Sequence, residues 1–290
     1  MRFLAALALI ALLIPPANAA QIHAERSLYR NMIVTEEDGL RCLTFRRLGT
    51  GDRQTCYRLS NPKELVFPYT KMMLGALYLN PNPARVLVIG LGGGTLPMTL
   101  RALLPDVHID TVEIDPAVVK VAREYFNFRT DAKMEVFRED GRVFVKKQMK
   151  TDIKYDIIML DAFEDEYIPE HMLTKEFLAE AKSLLKPRGI LAANTFSSSR
   201  LYPFESVTYT SVFGPFYNLK LSNRVIWAQN GALMSLDEIR ANAKMLEPQF
   251  AAFGVKSDFL LTTISTKPDW DTKTRVLTDQ FSPSNLLNAR

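Results

Sequence analysis

The stretch RVLVIGLGGGTLPMTLRALLPDVHIDTVEID, residues 85–115, decides the fold. It opens with an apolar, mostly β-branched run at residues 86–89 and then breaks into glycines. An unbroken apolar run predicts a parallel strand buried on both faces, because a strand with one face in solvent alternates apolar and polar residues. The glycines permit a tight turn and a close approach of the backbone to a ligand. The helical pattern of residues 95–104 then places a helix N-terminus, with its free N–H groups, at the same point.

A second predicted strand, residues 109–112, ends at Glu113. Its distance along the chain from the glycine turn is close to the ~20 residues that separate the turn from the ribose-binding acid in nucleotide-binding βαβ units. Thr95 stands where the dinucleotide fingerprint has Gly or Ala, so a nicotinamide cofactor is not favoured. We predict that Glu113 holds both ribose hydroxyls of an adenosine. The alternative is a solvated residue at the end of a strand.

Five segments together resemble the spermidine synthase-like (polyamine aminopropyltransferase) branch of the class I S-adenosylmethionine-dependent methyltransferase superfamily. They are VLVIGLGGGTLP, TVEIDPAVVKVAREYF, the pair Asp140-Gly141, YDIIMLDAF and LTDQFSP. The resemblance runs from about residue 27 to the C-terminus. It implies an α/β fold with a doubly wound, mostly parallel seven-stranded sheet of the Rossmann type. It also implies a small N-terminal β-hairpin unit, and S-adenosylmethionine or its decarboxylated form as a ligand.

The resemblance assigns a nucleoside-binding set to this chain. In that set an acid after the third strand reaches the exocyclic amine of adenine, and here that acid is Asp140; a helix N-cap is a second, compatible role for it. The implied cofactor-binding residues are Gly90, Gly92, Gly94, Glu113, Asp140 and Gly141.

The resemblance also implies an amine-binding set. Asp161 is the last residue of the predicted fourth strand, residues 155–161, and matches the acid that deprotonates the attacking amine. Glu164 matches a second acid that helps to hold a diamine. Gln54 and Tyr69 stand where the family has a ligand-facing glutamine and an amine-facing tyrosine. The implied substrate is a small-molecule amine.

Three positions depart from the pattern of the polyamine synthases. Gly93 stands where those enzymes have an aspartate that holds the amino group of the transferred chain. Thr70-Lys71 replaces a polar and acidic pair, and Ala162-Phe163 replaces small polar residues. Three hypotheses therefore stay open: an aminopropyltransferase, a methyltransferase with another acceptor, and a non-catalytic protein that keeps the fold.

The N-terminal segment has the pattern of an export signal. A basic start, Met1-Arg2, precedes 12 unbroken apolar residues, and Ala17-Asn18-Ala19 supplies a cleavage site. A bilayer-spanning helix needs about 20 residues, so a cleavable signal peptide at residues 1–19 is favoured over an uncleaved anchor. We predict an exported protein with no stable membrane partner after cleavage. Its predicted parts are a β-hairpin unit at residues 22–66 and a Rossmann domain at residues 67–290.

Composition limits the class of partner. The 290 residues are 47% hydrophobic and 23% charged, with a formal net charge of +4 and no dense block of Lys or Arg. This argues against nucleic acid as a partner. The three histidines have no ligand spacing, so no metal site is predicted. For His171, a solvated loop position is favoured over the lining of a pocket. The resemblance implies a homodimer.

The two cysteines, Cys42 and Cys56, lie symmetrically about the turn-like segment 48–52. They are therefore predicted to face each other across a hairpin. In an exported protein such a pair favours a disulfide; the alternative is two buried thiols.

Further elements are predicted from apolar periodicity and end signals. Helices are expected at residues 68–79, 116–126, 174–186 and 235–253, the last with a Ser235–Glu238 capping box. Strands are expected at residues 33–35, 40–45, 134–137 and 190–195, with an edge strand at residues 223–228. The polar loop 194–199 is placed to close over a ligand.

Overall fold

The computed structural model describes residues 19–45, 53–163 and 168–283. The first part is an antiparallel sheet of four strands in chain order. Its strands are β1 (Ala20–Arg26), β2 (Asn31–Glu37), β3 (Leu40–Thr44) and β4 (Arg53–Arg58). The predicted hairpin unit is thus a full sheet, because β1 pairs along the length of β2. Residues 1–18 of the predicted signal peptide and the 48–52 turn lie outside the described residues.

A disulfide joins β3 to β4. Cys42 and Cys56 are direct partners in the β3–β4 register and form the predicted bond. Both residues are buried, at 2% and 3% exposure, so the bond lies in the core of the small sheet.

The second part is a larger sheet of eight strands with helices on both faces. Its strands are β5 (Arg85–Ile89), β6 (His108–Val112), β7 (Met134–Phe137), β8 (Tyr155–Leu160), β9 (Leu185–Phe196), β10 (Tyr217–Lys220), β11 (Asn223–Gln229) and β12 (Ile264–Ser265). The spatial order is β12-β10-β11-β9-β8-β5-β6-β7. The five strands from β9 to β7 are parallel, and the other three pair antiparallel.

The α/β, doubly wound, mostly parallel sheet is confirmed, with one strand more than predicted. The extra strand is β12, whose two residues pair with β10. The prediction of an edge strand at residues 223–228 is wrong: β11 lies between β9 and β10. Its side chains are buried on both faces of the sheet, with Val225 and Trp227 in one hydrophobic cluster and Ile226 and Ala228 in the other.

Eight α-helices connect the strands in the described residues. They are α1 (Pro68–Leu74), α2 (Thr95–Leu103), α3 (Pro116–Tyr125), α4 (Gly141–Gln148), α5 (Lys175–Ser183), α6 (Tyr202–Phe213), α7 (Leu236–Ala251) and α8 (Ser257–Thr262). Helix α1 continues as a 3₁₀ turn, Gly75–Tyr78, so the predicted helix 68–79 is two elements. Helix α5 ends before Pro187, which lies inside β9. The capping box at Ser235 and Glu238 is confirmed.

The burial of both faces of β5 explains why its apolar run is unbroken. Val86 and Val88 pack on one face of the sheet, and Leu87 and Ile89 pack on the other. All four are at most 2% exposed. Helices cover both faces, so every position of the strand is apolar. This buried strand holds the glycine turn rigidly at the carboxyl edge of the sheet.

Candidate active site

A cavity of about 850 Å³ opens at the carboxyl ends of β5, β6 and β8. Strand β5 has β6 on one side and β8 on the other, so the strand order reverses here. Open α/β sheets bind ligands at such a switch point. Residues of the small sheet, among them Gln54 and Thr55, form the opposite wall. The candidate site therefore lies between the two sheets.

The glycine turn lets the backbone approach that of Asp161. Gly90 has φ +100°, and a Cβ added there would lie 2.2 Å from the Asp161 carbonyl oxygen. The Gly90 N–H donates to the Val112 carbonyl at 2.8 Å. Gly90 and Gly92, both predicted to bind the cofactor, line the cavity. Gly94 is outside the lining and packs against Phe128 at the start of α2.

Glu113 is held at the cavity floor by the backbone. Its Oε2 accepts from the Leu91 N–H at 3.1 Å, and its Oε1 accepts from the Asp115 N–H at 2.9 Å. The residue is 7% exposed. Burial raises the pKa of the carboxyl above its ordinary value, while these N–H groups and the positive charge of Arg30 oppose the shift. The remaining lone pairs of the carboxylate can accept two vicinal hydroxyls.

Asp140 caps helix α4 and lines the cavity. Its Oδ1 accepts from the Val143 N–H at 2.9 Å, and its Oδ2 accepts from His171 Nε2 at 2.8 Å. The hydrogen bond from His171 holds the pKa of Asp140 below its ordinary value, against the opposing effect of burial. Both predicted roles are thus compatible with the geometry. His171 also lines the cavity, which differs from the favoured solvated loop position. Gly141, the first residue of α4, lines it as well.

Asp161 lies at the tip of β8, on the other side of β5 from the strands β6 and β7 that precede Glu113 and Asp140. Asn194 of β9 donates from Nδ2 to Asp161 Oδ1 at 2.9 Å. Burial raises the pKa of Asp161 to about 7, and the hydrogen bond from Asn194 opposes that shift. A carboxyl group that titrates near neutrality is suited to accept a proton from a reacting group. Asp161 is therefore the best candidate for a general base.

Tyr69 and Gln54 meet beside Asp161. The Tyr69 hydroxyl donates to the backbone carbonyl oxygen of Gln54 at 3.2 Å, and both residues line the cavity. Burial, and then the negative charge of Asp161, raise the pKa of Tyr69 well above its ordinary value. The phenol therefore stays neutral at physiological pH. Glu164, the last predicted amine-binding residue, lies outside the described residues.

Gly93 has its side-chain space filled from the small sheet. Its N–H donates to Thr55 Oγ1 at 2.9 Å. A Cβ added at Gly93 would lie 2.5 Å from Thr55 Cγ2 and 3.1 Å from Phe126 Cδ1. An aspartate at this position would need both neighbours to shift. The space that an aspartate side chain would need at position 93 is thus occupied by Thr55 and Phe126.

Sequence reasoning did not identify Arg30 and Thr55 as residues of the cavity wall. Both come from the small sheet and its turns, and reach the glycine turn only through tertiary packing. No local motif marks either residue. Asn194 was included in a polar loop, but its contact with Asp161 depends on the β8–β9 register.

No group of three His, Cys, Asp or Glu side chains in residues 19–45, 53–163 and 168–283 is arranged to hold a metal ion. In the same part of the chain no helix has the length and apolarity to cross a bilayer.

The family model of the spermine/spermidine synthase domain matches residues 66–213 of this chain. The chain belongs to the spermine/spermidine synthase family. A polyamine aminopropyltransferase of Vibrio vulnificus (strain CMCP6) is 44% identical over 289 residues, which cover 97% of this chain and 96% of the relative. The likeness to this relative thus extends beyond residues 66–213 to nearly the whole length of both chains.

Two solved structures are also similar to the chain. Human methyltransferase-like protein 13 in complex with SAH matches with a TM-score of 0.59 and 27% identity, covering 74% of this chain and 100% of that one. A probable spermidine synthase from Corynebacterium glutamicum matches with a TM-score of 0.64 and 16% identity, covering 90% and 99%. The second likeness concerns the fold alone.

Proposed function

We propose that this protein transfers an aminopropyl group from decarboxylated S-adenosylmethionine to a small amine, releasing methylthioadenosine. The observation that carries the proposal is the place of Asp161, a carboxyl with a pKa of about 7 in the same cavity as Glu113 and Asp140. The similarity to a polyamine aminopropyltransferase over almost the whole chain supports the same reaction here.

In the proposed complex, Glu113 and Asp140 bind the nucleoside. Glu113 accepts hydrogen bonds from both ribose hydroxyls, and Asp140 accepts one from the exocyclic amine of adenine. Hydrogen bonds to ionised acceptors are stronger than those between neutral groups, so the two acids fix the orientation of the nucleoside. The sulfonium end then points toward Asp161, at the tip of β8.

Asp161 has the central role in the proposed chemistry. An alkyl amine has a pKa near that of lysine, about 10.4, and attacks only when it is uncharged. The nitrogen bonds to the propyl carbon, the carbon–sulfur bond breaks with its electron pair moving to sulfur, and Asp161 accepts the proton from nitrogen. Tyr69 stays neutral and can hold the amine nitrogen during the attack.

The test is a release assay on the wild-type protein. Decarboxylated S-adenosylmethionine is supplied with putrescine, cadaverine or spermidine, and methylthioadenosine is quantified. We expect release that depends on both substrates. No release, from a protein that binds methylthioadenosine in calorimetry, would contradict the proposal and favour methyl transfer or the non-catalytic hypothesis.

Methyl transfer is the second candidate, because Gly93 removes an acid expected for the amino group of the transferred chain, and because the chain resembles human methyltransferase-like protein 13. The same assay with S-adenosylmethionine distinguishes the two reactions. Methyl transfer yields S-adenosylhomocysteine, whereas aminopropyl transfer yields methylthioadenosine.

We also propose that the protein is exported by cleavage after Ala19, and that it acts as a homodimer. The signal-like N-terminus and the Cys42–Cys56 disulfide support export. Exposed apolar side chains on the small sheet and its first turn, Ile22, Leu28 and Tyr29, support an interface there. Sedimentation equilibrium of the mature protein checks the dimer; a monomer mass at micromolar concentration would refute it.

Export and the disulfide are checked together on protein from the exported fraction. Mass spectrometry without reductant is expected to find an N-terminus at Ala20 and the Cys42 and Cys56 peptides linked. The bond closes a loop with a sequence separation of 14. Reduction is expected to lower the free energy of unfolding by about 3 kcal/mol in the chain-entropy model. Freely alkylated thiols, or a retained residue 1, would contradict this proposal.

A further inference from the structure

Arg30 is a nearly buried cation in the wall of the cavity. It follows the turn between β1 and β2, its side chain is 9% exposed, and it lines the cavity. Its guanidinium lies 4.4 Å above the centre of the Phe45 ring. This stacking leaves the edge of the guanidinium, which carries the N–H donors, available to another group.

The donors of Arg30 are mostly unused in the described residues. A guanidinium has five N–H donors. One of them, on Nη1, reaches the Phe163 carbonyl oxygen at 3.2 Å. Nε is buried and has no hydrogen-bond acceptor within that part of the chain. The paired carboxylate is that of Asp115, whose Oδ2 is 3.8 Å from Nε, beyond hydrogen-bonding distance.

Asp115 is itself occupied by other donors. Its Oδ2 accepts from the Ser27 hydroxyl at 2.5 Å, and its Oδ1 accepts from the Ala117 N–H at 2.9 Å as the cap of α3. Burying a charged group without its hydrogen bonds is unfavourable. An anionic ligand group that reached Arg30 would therefore gain charge-assisted hydrogen bonds at a site already desolvated by the protein.

The nature of the anion follows from the ligands of the proposed reaction, on which this inference rests. A sulfonium nucleoside and an amine acceptor carry no phosphate, and the anion either can carry is a carboxylate. A planar guanidinium pairs with a carboxylate through two parallel hydrogen bonds. In addition, position 93 is a glycine, whereas the resemblance implies an aspartate there that holds the amino group of the transferred chain.

We propose that Arg30 binds a substrate carboxylate in this cavity. The carboxylate belongs either to the donor, as the α-carboxylate of intact S-adenosylmethionine, or to the acceptor, as that of a diamino acid. In the first case the transferred group is 3-amino-3-carboxypropyl, which replaces the aminopropyl group of the proposed function; in the second it is aminopropyl, as proposed above. In both, the carbon–nitrogen bond forms, the carbon–sulfur bond breaks with its electrons on sulfur, and the amine proton passes to Asp161.

The donor arm of the test uses ligands that differ by the carboxylate alone. Calorimetry compares S-adenosylhomocysteine with its decarboxylated counterpart, with methylthioadenosine as the reference nucleoside. The acceptor arm compares ornithine with putrescine in the transfer assay with decarboxylated donor. We expect at least a tenfold preference for the carboxylate-bearing member in one arm, and that arm identifies the source.

Arg30→Gln is expected to reduce that preference to about twofold or less. Burial raises the pKa of Glu113 and the charge of Arg30 opposes that rise, so the preference, and not the absolute affinity for methylthioadenosine, is the readout. Arg30→Lys keeps the charge without the two parallel donors, so it should retain part of the preference. The matched control is Arg26→Gln: Arg26 is exposed on the same sheet, and its preference should equal that of the wild type. Each preference is a ratio of two ligands measured on the same variant. A general loss of stability weakens both ligands alike and therefore does not lower the ratio.

Two results overturn the inference alone: methylthioadenosine binds but neither arm shows a preference, or the preference survives in Arg30→Gln. Absence of methylthioadenosine binding to the wild type overturns the proposed function and this inference together.

Discussion

Replacing Asp161 with asparagine is expected to lower kcat for aminopropyl transfer by about 10²–10⁴-fold, the usual contribution of a general base. The amide keeps the shape of the side chain but cannot accept the amine proton. Affinity for methylthioadenosine is expected to stay within about threefold of wild type, because Glu113 and Asp140 bind the nucleoside. Release of methylthioadenosine and calorimetry measure the two quantities. A variant with wild-type kcat would place the base elsewhere.

The pH profile gives a second readout of the same prediction. Asp161 must be ionised to act as a base, and burial raises its pKa to about 7. In the wild type, kcat/KM should therefore rise as pH increases through about 7. Asn194→Ala removes the donor that favours the ionised form of Asp161, so the pKa of Asp161 should rise. The rise of kcat/KM should then occur at a higher pH. If kcat/KM rises at the same pH in this variant as in the wild type, Asn194 does not set the pKa of Asp161.

Stability separates lost chemistry from lost folding. The folded-state pKa of Asp161 is above its ordinary value, so between about pH 4 and 7 the folded chain binds more protons at this group than the unfolded chain. The contribution of Asp161 to folding stability therefore falls as pH rises through this window. Asp161→Asn lacks this penalty and should have a Tm at pH 8 at or above that of the wild type. A lower Tm would mean that the amide disturbs the fold.

Replacing Glu113 with alanine is expected to lower affinity for methylthioadenosine at least about tenfold. Each charge-assisted hydrogen bond to the ribose contributes about 1.5–3 kcal/mol, and 1.4 kcal/mol is a factor of ten. The substitution also leaves the Leu91 and Asp115 N–H groups without their acceptor. Calorimetry checks the affinity, and circular dichroism checks that the fold is intact.

A ligand without the ribose hydroxyls separates the two effects of Glu113→Ala. For 2′,3′-dideoxyadenosine, the wild type and the variant should bind with similar affinity, because the lost hydrogen bonds are absent in both. Glu135→Ala is the matched control, since Glu135 is an exposed acid on the adjacent strand β7. An equal loss for both nucleosides in Glu113→Ala would mean that the acid supports the turn and does not bind ribose.

The sequence was most informative where the site is built from neighbours along the chain. The buried run of β5, the glycine turn and Glu113 fall within about thirty residues, and the apolar strand β8 ends directly in Asp161. Each side chain is placed by the end of a strand, and strand ends are read from apolar runs. The resemblance to a family then supplied the roles of Asp140, Gln54 and Tyr69, all of which line the cavity.

Contacts between distant segments could not be predicted in the same way. Arg30 reaches the cavity from a turn of the small sheet, and its environment depends on Phe45, Asp115 and Phe163. The position of β11 was mistaken because the pairing strands β10 and β12 are short and carry a weak apolar pattern. In each case the deciding interaction is tertiary, and no spacing along the chain encodes it.

The contact between Gly93 and Thr55 constrains how the two positions can change during evolution. The pair is separated by 38 positions along the chain. An aspartate at position 93 would first meet the Thr55 methyl group, whereas a serine at position 55 would remove that methyl and keep the hydroxyl that accepts from the Gly93 N–H. A serine at position 55 would therefore relieve the closer of the two contacts, and the Phe126 ring, 3.1 Å from the added Cβ, would still have to move. With threonine in place, any side chain at position 93 requires the Thr55 methyl group to move.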